Sequence, residues 1–163
     1  MPTNVYADLV NRLQDRLTAE KAALVVDHVF GGPADQNTSG IAAYLEIRIP
    51  TEEMPERWSA TSQLKDGDRF LVDVGCIVQA KDGDRPWGTP SSQGCLTLAG
   101  SVADLIEQER GRYVMDAQGI GIAGCIDMMV SMPFRFEGLG DRQYIAVVRV
   151  TFRVRFAAGN RSR

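Results

Sequence analysis

Tyr144-Ile145-Ala146-Val147-Val148-Arg149-Val150-Thr151-Phe152-Arg153-Val154-Arg155-Phe156 reads as one long strand with two unlike faces. Its even positions are apolar or aromatic throughout, and its odd positions carry Arg149, Thr151, Arg153 and Arg155, the period-two pattern of a strand whose one face is buried. Upstream, Cys125 to Phe136 repeats the alternation with Ile126, Met128, Val130, Met132, Phe134 and Phe136 as its inward set. The pair predicts a long C-terminal β-hairpin from Cys125 to Ala157, closed across the segment Glu137–Gln143. Pairing Phe136 with Tyr144 sets Asp127 opposite Arg153, an opposite-charge pair worth about 0.2–1 kcal/mol.

Two further strands follow the same rule. Ile41 to Ile49 places Ile41, Ala43, Leu45, Ile47 and Ile49 on one side and Tyr44, Glu46 and Arg48 on the other, and Pro50 ends it. Arg69 to Ala80 buries Phe70, Val72, Val74, Cys76 and Val78. Leu24 to Phe30 reads as a short additional strand stopped by Gly31-Gly32-Pro33. Helical spacing appears twice. Tyr6, Leu9, Val10, Leu13 and Leu17 mark an amphipathic helix over about Asn4–Glu20, with Thr3 or Asn4 as its cap. Val102, Leu105, Ile106 and Tyr113 mark a second, with Ser101 as its cap and Asp104 three residues on. The expected fold is therefore α+β: a mainly antiparallel sheet of four or five strands, two helices packed on one face, and the long hairpin at the end. The opposite face would carry Glu46, Arg48, Asp73, Asp127, Arg149, Arg153 and Arg155. Residues 1–163 read as one domain with loop insertions at about 51–66 and 81–100.

The composition fits this picture. The chain has 163 residues, 44% hydrophobic and 24% charged, values of a folded globular domain. Three cysteines, an odd number without metal-type spacing, read as free thiols of a reducing compartment. No apolar run approaches the ~18 residues of a membrane span, and the opening MPTNVYADLV has no leader-like pattern. The reading is of a soluble chain that does not engage membranes. The net charge of −3 is unevenly spread. From Ser131 onward seven arginines stand against Glu137 and Asp141, giving +5, and the rest of the chain carries −8. Such opposition suits head-to-tail contact between copies, or a merely solvated basic strand face.

Motifs that would carry chemistry fail on context. Gly119-Ile120-Gly121-Ile122-Ala123-Gly124 spells G-x-G-x-x-G, but a dinucleotide fingerprint follows a strand and opens a helix. Here a helix precedes and a strand follows, so the run reads as a connection. Lys65-Asp66-Gly67-Asp68-Arg69 recurs as Lys81-Asp82-Gly83-Asp84-Arg85, and both copies read as Asp-Gly turns bounding a strand rather than as calcium loops, which need about 6–8 oxygen ligands. His28 is the only histidine and sits beside Val29 and Phe30. Neither a nucleophile elbow nor a metal set is legible. The chain is thus read as non-enzymatic, with no cofactor or metal. Arg135, Arg149, Arg153 and Arg155 are candidate contact residues, since arginine's planar fork favours interfaces. The row lacks interleaved aromatics for stacking bases. Loop tryptophans Trp58 and Trp87, and the turn residues Asp84 and Arg85, complete the contact candidates.

The succession helix Tyr6–Leu17, strand Ala43-Tyr44-Leu45-Glu46-Ile47, acidic excursion, strand Phe70-Leu71-Val72-Asp73-Val74, helix Val102–Tyr113 and closing strand Tyr144–Val154 resembles the tail terminator family of long-tailed bacteriophages, the lambda-like minor tail proteins. The chain departs from that pattern in its longer insert Lys81–Gly100 and its strongly basic last strand, so a neighbouring head–tail connector or neck protein remains an alternative. The resemblance implies a homo-hexameric virion ring, assembled in the host cytoplasm, that binds the last ring of the tail tube protein, ends tube polymerisation and presents a surface for head joining. DNA would pass through as cargo only. A reading from another class is a small ligand-binding or enzymatic α+β domain that uses Gly119–Gly124 and the Asp-Gly-Asp turns.

Overall fold

The computed structural model describes residues 4–32, 38, 40–50, 67–81, 83–132 and 136–155. It begins with α1 (Val5–Ala19), whose cap is Asn4: the side-chain oxygen accepts from the amides of Tyr6 (3.0 Å) and Ala7 (3.1 Å). Leu9, Leu13 and Leu17 form a stripe one turn apart and are wholly buried. A short helical turn, α2 (Lys21–Leu24), follows directly, and Val25 leaves it in the left-handed conformation with φ 56°. The strand expected over Leu24–Phe30 is therefore only its second half, β1 (His28–Phe30). Leu24 stays helical because its amide bonds the Glu20 carbonyl, four residues back, at 3.0 Å.

The sheet continues through β2 (Ala43–Arg48) and β3 (Gly67–Gln79). After α3 (Cys95–Gln108) and a single 3₁₀ turn at Arg110–Arg112 come β4 (Cys125–Ser131), β5 (Phe136–Gly140) and β6 (Gln143–Arg155). The order is β1-β2-β3-β6-β4, with β5 also on β6. The fold is α+β as expected, with six strands rather than four or five. It is mixed rather than antiparallel throughout, because β1 runs parallel to β2. α1 and α3 cover one face. Beneath them lie Leu45, Ile47, Phe70, Val72, Val74, Cys76, Val148, Val150, Phe152 and Val154, the inward sets read from the alternation.

The hairpin register holds in one half and moves in the other. Asp127 does lie opposite Arg153, and Ser131 opposite Arg149. A bulge between Cys125 and Asp127 turns Cys125, rather than Ile126, into the core. In β5, however, Phe136 pairs with Ala146 and Gly138 with Tyr144, two residues beyond the expected partners. Asp141 and Arg142 then close a two-residue turn with φ 49° and 60°, both positive as such hairpin turns require. Phe136, expected to face inward, is 39% exposed, because β5 runs beyond the cover of the helices.

Helix α3 starts six residues before the expected cap at Ser101, which instead lies inside it and bonds the Thr97 carbonyl at 3.2 Å. The start is organised from a distance. The carbonyl of Pro86 accepts from the Cys95 amide (2.9 Å), and that of Trp87 accepts from Leu96 and Thr97 (both 3.1 Å). Thr97 Oγ1 in turn accepts from the Gly94 amide at 2.8 Å. These bonds satisfy amides that a helix cannot satisfy itself. The approach is close enough that a Cβ on Gly94 would overlap the backbone of Pro86, Trp87 and Gly88. Gly100, inside the same helix, has open space around it. Gly100→Ala should therefore raise stability by about 0.5–1 kcal/mol. Gly94→Ala should lower it by about 1–3 kcal/mol through overpacking. Urea unfolding of the two variants checks the opposite signs.

Candidate functional site

On the face away from α1 and α3, strand alternation brings together Glu46 and Arg48 of β2, Asp73 of β3, Arg149 and Thr151 of β6. Register sets Arg48 opposite Asp73 and Asp73 opposite Arg149, so three strands contribute one row of alternating charge. Arg149 grips Asp73 with both arms of its guanidinium, Nε to Oδ1 at 2.8 Å and Nη2 to Oδ2 at 2.9 Å. Arg48 pairs with Glu46. Asp73, Glu46 and Thr151 are all buried. The sequence reading placed these charges on the correct face but as an outward one. Their burial was not legible, since a polar residue at an outward position carries no signal of what covers it. Beside this row lies a second apolar cluster, Tyr44, Ile77, Ile145 and Val147, with Phe30 and Ile41 against it.

The contact candidates fall in separate places. Arg149 is engaged inside the sheet. Arg153 is half-buried and lies between Arg69 and Asp127 in register, while the Asp127 carboxylate takes Arg110. Arg155 is exposed at the rim of a cleft of about 570 Å³ between α1 and the glycine run, lined also by Asp8, Asn11, Arg12, Asp15 and Gly121–Gly124. Asp84 and Arg85 are exposed, and the Asp84 amide closes a turn on the Lys81 carbonyl at 3.0 Å. Of the other copy of that pentapeptide, Gly67, Asp68 and Arg69 already belong to β3. Arg135, Trp58, Lys65, Asp66 and Asp82 lie outside the described residues, as does the 51–66 insertion.

Trp87 is the best-formed of the surface candidates. The residue is 46% exposed and its ring meets Phe136 edge-on at 6.5 Å, and Phe136 stacks on Tyr144 at 5.8 Å. Leu96 (37%) and Leu139 (44%), on the adjoining α3 and β5, are exposed as well. Every residue of β5 is exposed, and among the described strands β5 pairs with β6 alone. Sequence reasoning found Trp87 but missed Phe136 and Leu139, because it assigned the first to the core and the second to the hairpin loop.

Burial pushes the Cys95 and Cys125 thiols up to about 11, and that of Cys76 higher still, so all three stay protonated at neutral pH and pack as small apolar side chains. Among the described residues no group of three or more His, Cys, Asp or Glu side chains is arranged to hold a metal ion. The glycine run is a turn system. The Asp116 carboxylate accepts from the amides of Gln118 (3.0 Å) and Ile120 (2.9 Å), and Gly121, at φ 101°, passes so near Val114 that a Cβ would overlap its carbonyl. A strand, β4, follows it. No described helix is long and apolar enough to cross a membrane.

Arg149→Met should destabilise the chain by about 3–5 kcal/mol, because it leaves Asp73 buried without its guanidinium. The double change Asp73→Leu with Arg149→Met should recover most of that loss, and a double-mutant cycle by chemical unfolding measures it. Compared with known proteins, the chain matches no family model and no curated sequence.

Proposed function

We propose that this protein works by contact rather than by chemistry, as a ring-forming subunit that caps the head-proximal end of a phage tail tube. The observation that supports this reading best is the exposed aromatic contact of Trp87 with Phe136 at the open edge of β5, the strand that also exposes Leu139. Large apolar side chains grouped at a surface are the usual mark of an interaction site. An aromatic anchor with a planar, rigid ring is the kind of residue on which interface energy concentrates. The order of helices and strands supports the same reading, because it follows the succession that resembles tail terminators. A cap needs a perimeter that meets its neighbour by rotation and closes. The exposed Arg85 and Arg155, near opposite ends of the sheet, give that perimeter its charged rim.

The partners under this reading are further copies of the chain, the tube protein, and a connector on the head side. Analytical ultracentrifugation with the tube protein of the same genome tests it. Wild type should associate with tube rings and end their growth at a fixed length. Trp87→Ser with Leu139→Ser should weaken that association at least tenfold, about 1.4 kcal/mol, while the unfolding midpoint stays close to wild type. Undiminished association by the double variant would remove this face from the interface. A wild-type monomer that ignores tube rings and instead takes up a nucleotide at the cleft of Gly121–Gly124 and Arg155 would overturn the reading.

A further inference from the structure

We infer that Arg110 and Asp127 guard the outer edge of β4, keeping that strand from pairing with the β4 of another copy. Among the described strands β4 pairs with β6 alone, so its other side is open to a further strand. Such an edge is a template for association unless something blunts it. β4 is a poor strand to leave bare. Cys125-Ile126-Asp127-Met128-Met129-Val130-Ser131 contains no proline, and Asp127 is its only charge. Without that carboxylate it is a neutral, apolar run of the composition that stacks edge to edge. Met129 is already 57% exposed.

The ladder shows which backbone groups face the free side. The Arg155 amide donates to the Gly124 carbonyl at 2.7 Å, so the odd-numbered residues of β6 turn their backbone toward β4. In an antiparallel pair, the residues opposite the even-numbered ones then turn theirs away. Met128, opposite Phe152, is one of these. Both of its outward groups are occupied from within the chain. Its amide donates to Asp127 Oδ1 at 2.8 Å, and its carbonyl accepts from Arg110 Nη1. Arg110 Nη2 donates to the same Asp127 oxygen, which closes the clasp over the strand edge. Before the bulge, the Cys125 amide donates to the Ile122 carbonyl (3.0 Å) and its carbonyl accepts from the Met115 amide (3.1 Å).

The guard is held from behind. Arg110 opens the 3₁₀ turn after α3, and its carbonyl accepts from the amides of Tyr113 and Val114, both at 3.0 Å. Tyr113 is buried, so the root of the arginine is tied to the core. The Arg110 and Asp127 side chains themselves are 41% and 44% exposed. A pair so placed contributes little to stability. Its steric and bonding effect is the larger one. A strand approaching β4 finds the Met128 donor and acceptor already used, and a guanidinium standing where its own backbone would lie.

Sedimentation velocity and amide exchange by NMR on the full chain test this. In wild type the Met128 amide should exchange slowly at every protein concentration, because its partner is its own Asp127. Arg110→Ala with Asp127→Ala should speed that exchange at least tenfold in dilute solution. As concentration rises, the double variant should form species that wild type does not, and its Met128 amide should become slow again. Association of copies through the Trp87 face leaves the Met128 amide unchanged, so the two are told apart. Adding Met129→Lys, a charge at an exposed place on the same strand, should return the variant to wild-type sedimentation. The Val72 and Val150 amides, opposite one another in β3 and β6, are the control for folding. A folded double variant that sediments like wild type at all concentrations overturns the inference. So does association that Met129→Lys leaves intact. If the double variant does not fold, Arg110→Ala alone decides: it frees the Met128 carbonyl and should also associate, and wild-type sedimentation of it overturns the inference.

Discussion

Thirteen consecutive residue pairs join β3 to β6, from Gly67 opposite Arg155 to Gln79 opposite Gln143, and every other element takes its place from that ladder. Because the two strands are long and antiparallel without a break, their inward residues form two continuous apolar rows. α1 and α3 settle on these rows, and β2, β4 and β5 add to the outer sides. The same ladder sets Asp73 against Arg149 on the other face, where a two-armed ion pair tolerates no shift of register. Hydrophobic alternation fixes which face is which. The charge pair fixes the step along the strand.

The helical layer is tied together differently. Arg16 of α1 holds Glu109 at the end of α3 through Nε (2.7 Å) and Nη2 (3.1 Å), and also reaches Glu20 at 2.9 Å. Glu109 takes Arg112 as well, and Arg12 donates to the Arg112 carbonyl at 2.7 Å. Just beneath this clasp Tyr113 is buried beside Phe152, with ring centroids 5.8 Å apart. Ion pairs near a surface add little energy singly. Their effect here is positional: they hold the ends of two helices at one spacing over the sheet.

How much of this could be read in advance depended on how local each cause was. The inward rows of β3 and β6, the stripe of Leu9, Leu13 and Leu17, the Asn4 cap and the pairing of Asp127 with Arg153 all follow from residues a few places apart, or from strict alternation. The start of α3 did not, because its amides are met by carbonyls of Pro86 and Trp87, and Gly94 and Gly100 look locally like breakers. The step between β4 and β5 did not either, since it is settled by a left-handed turn built from Asp141 and Arg142 rather than from the glycine such turns favour. In the candidate surface, Trp87 stood out as a loop tryptophan. Phe136 continued an apolar alternation, and nothing in its own strand reveals that the helices stop short of it.

The bonds from Pro86 and Trp87 to α3 also make a mechanical link. Trp87 shows its ring to solvent while its carbonyl holds two amides of the helix, and the next turn of that helix sends Leu98 and Ala99 into the core. A load applied to the ring is therefore carried by the backbone into the first turn of α3, with no flexible linker between to absorb it. Whatever pulls on the surface at this point pulls on the interior through one peptide unit.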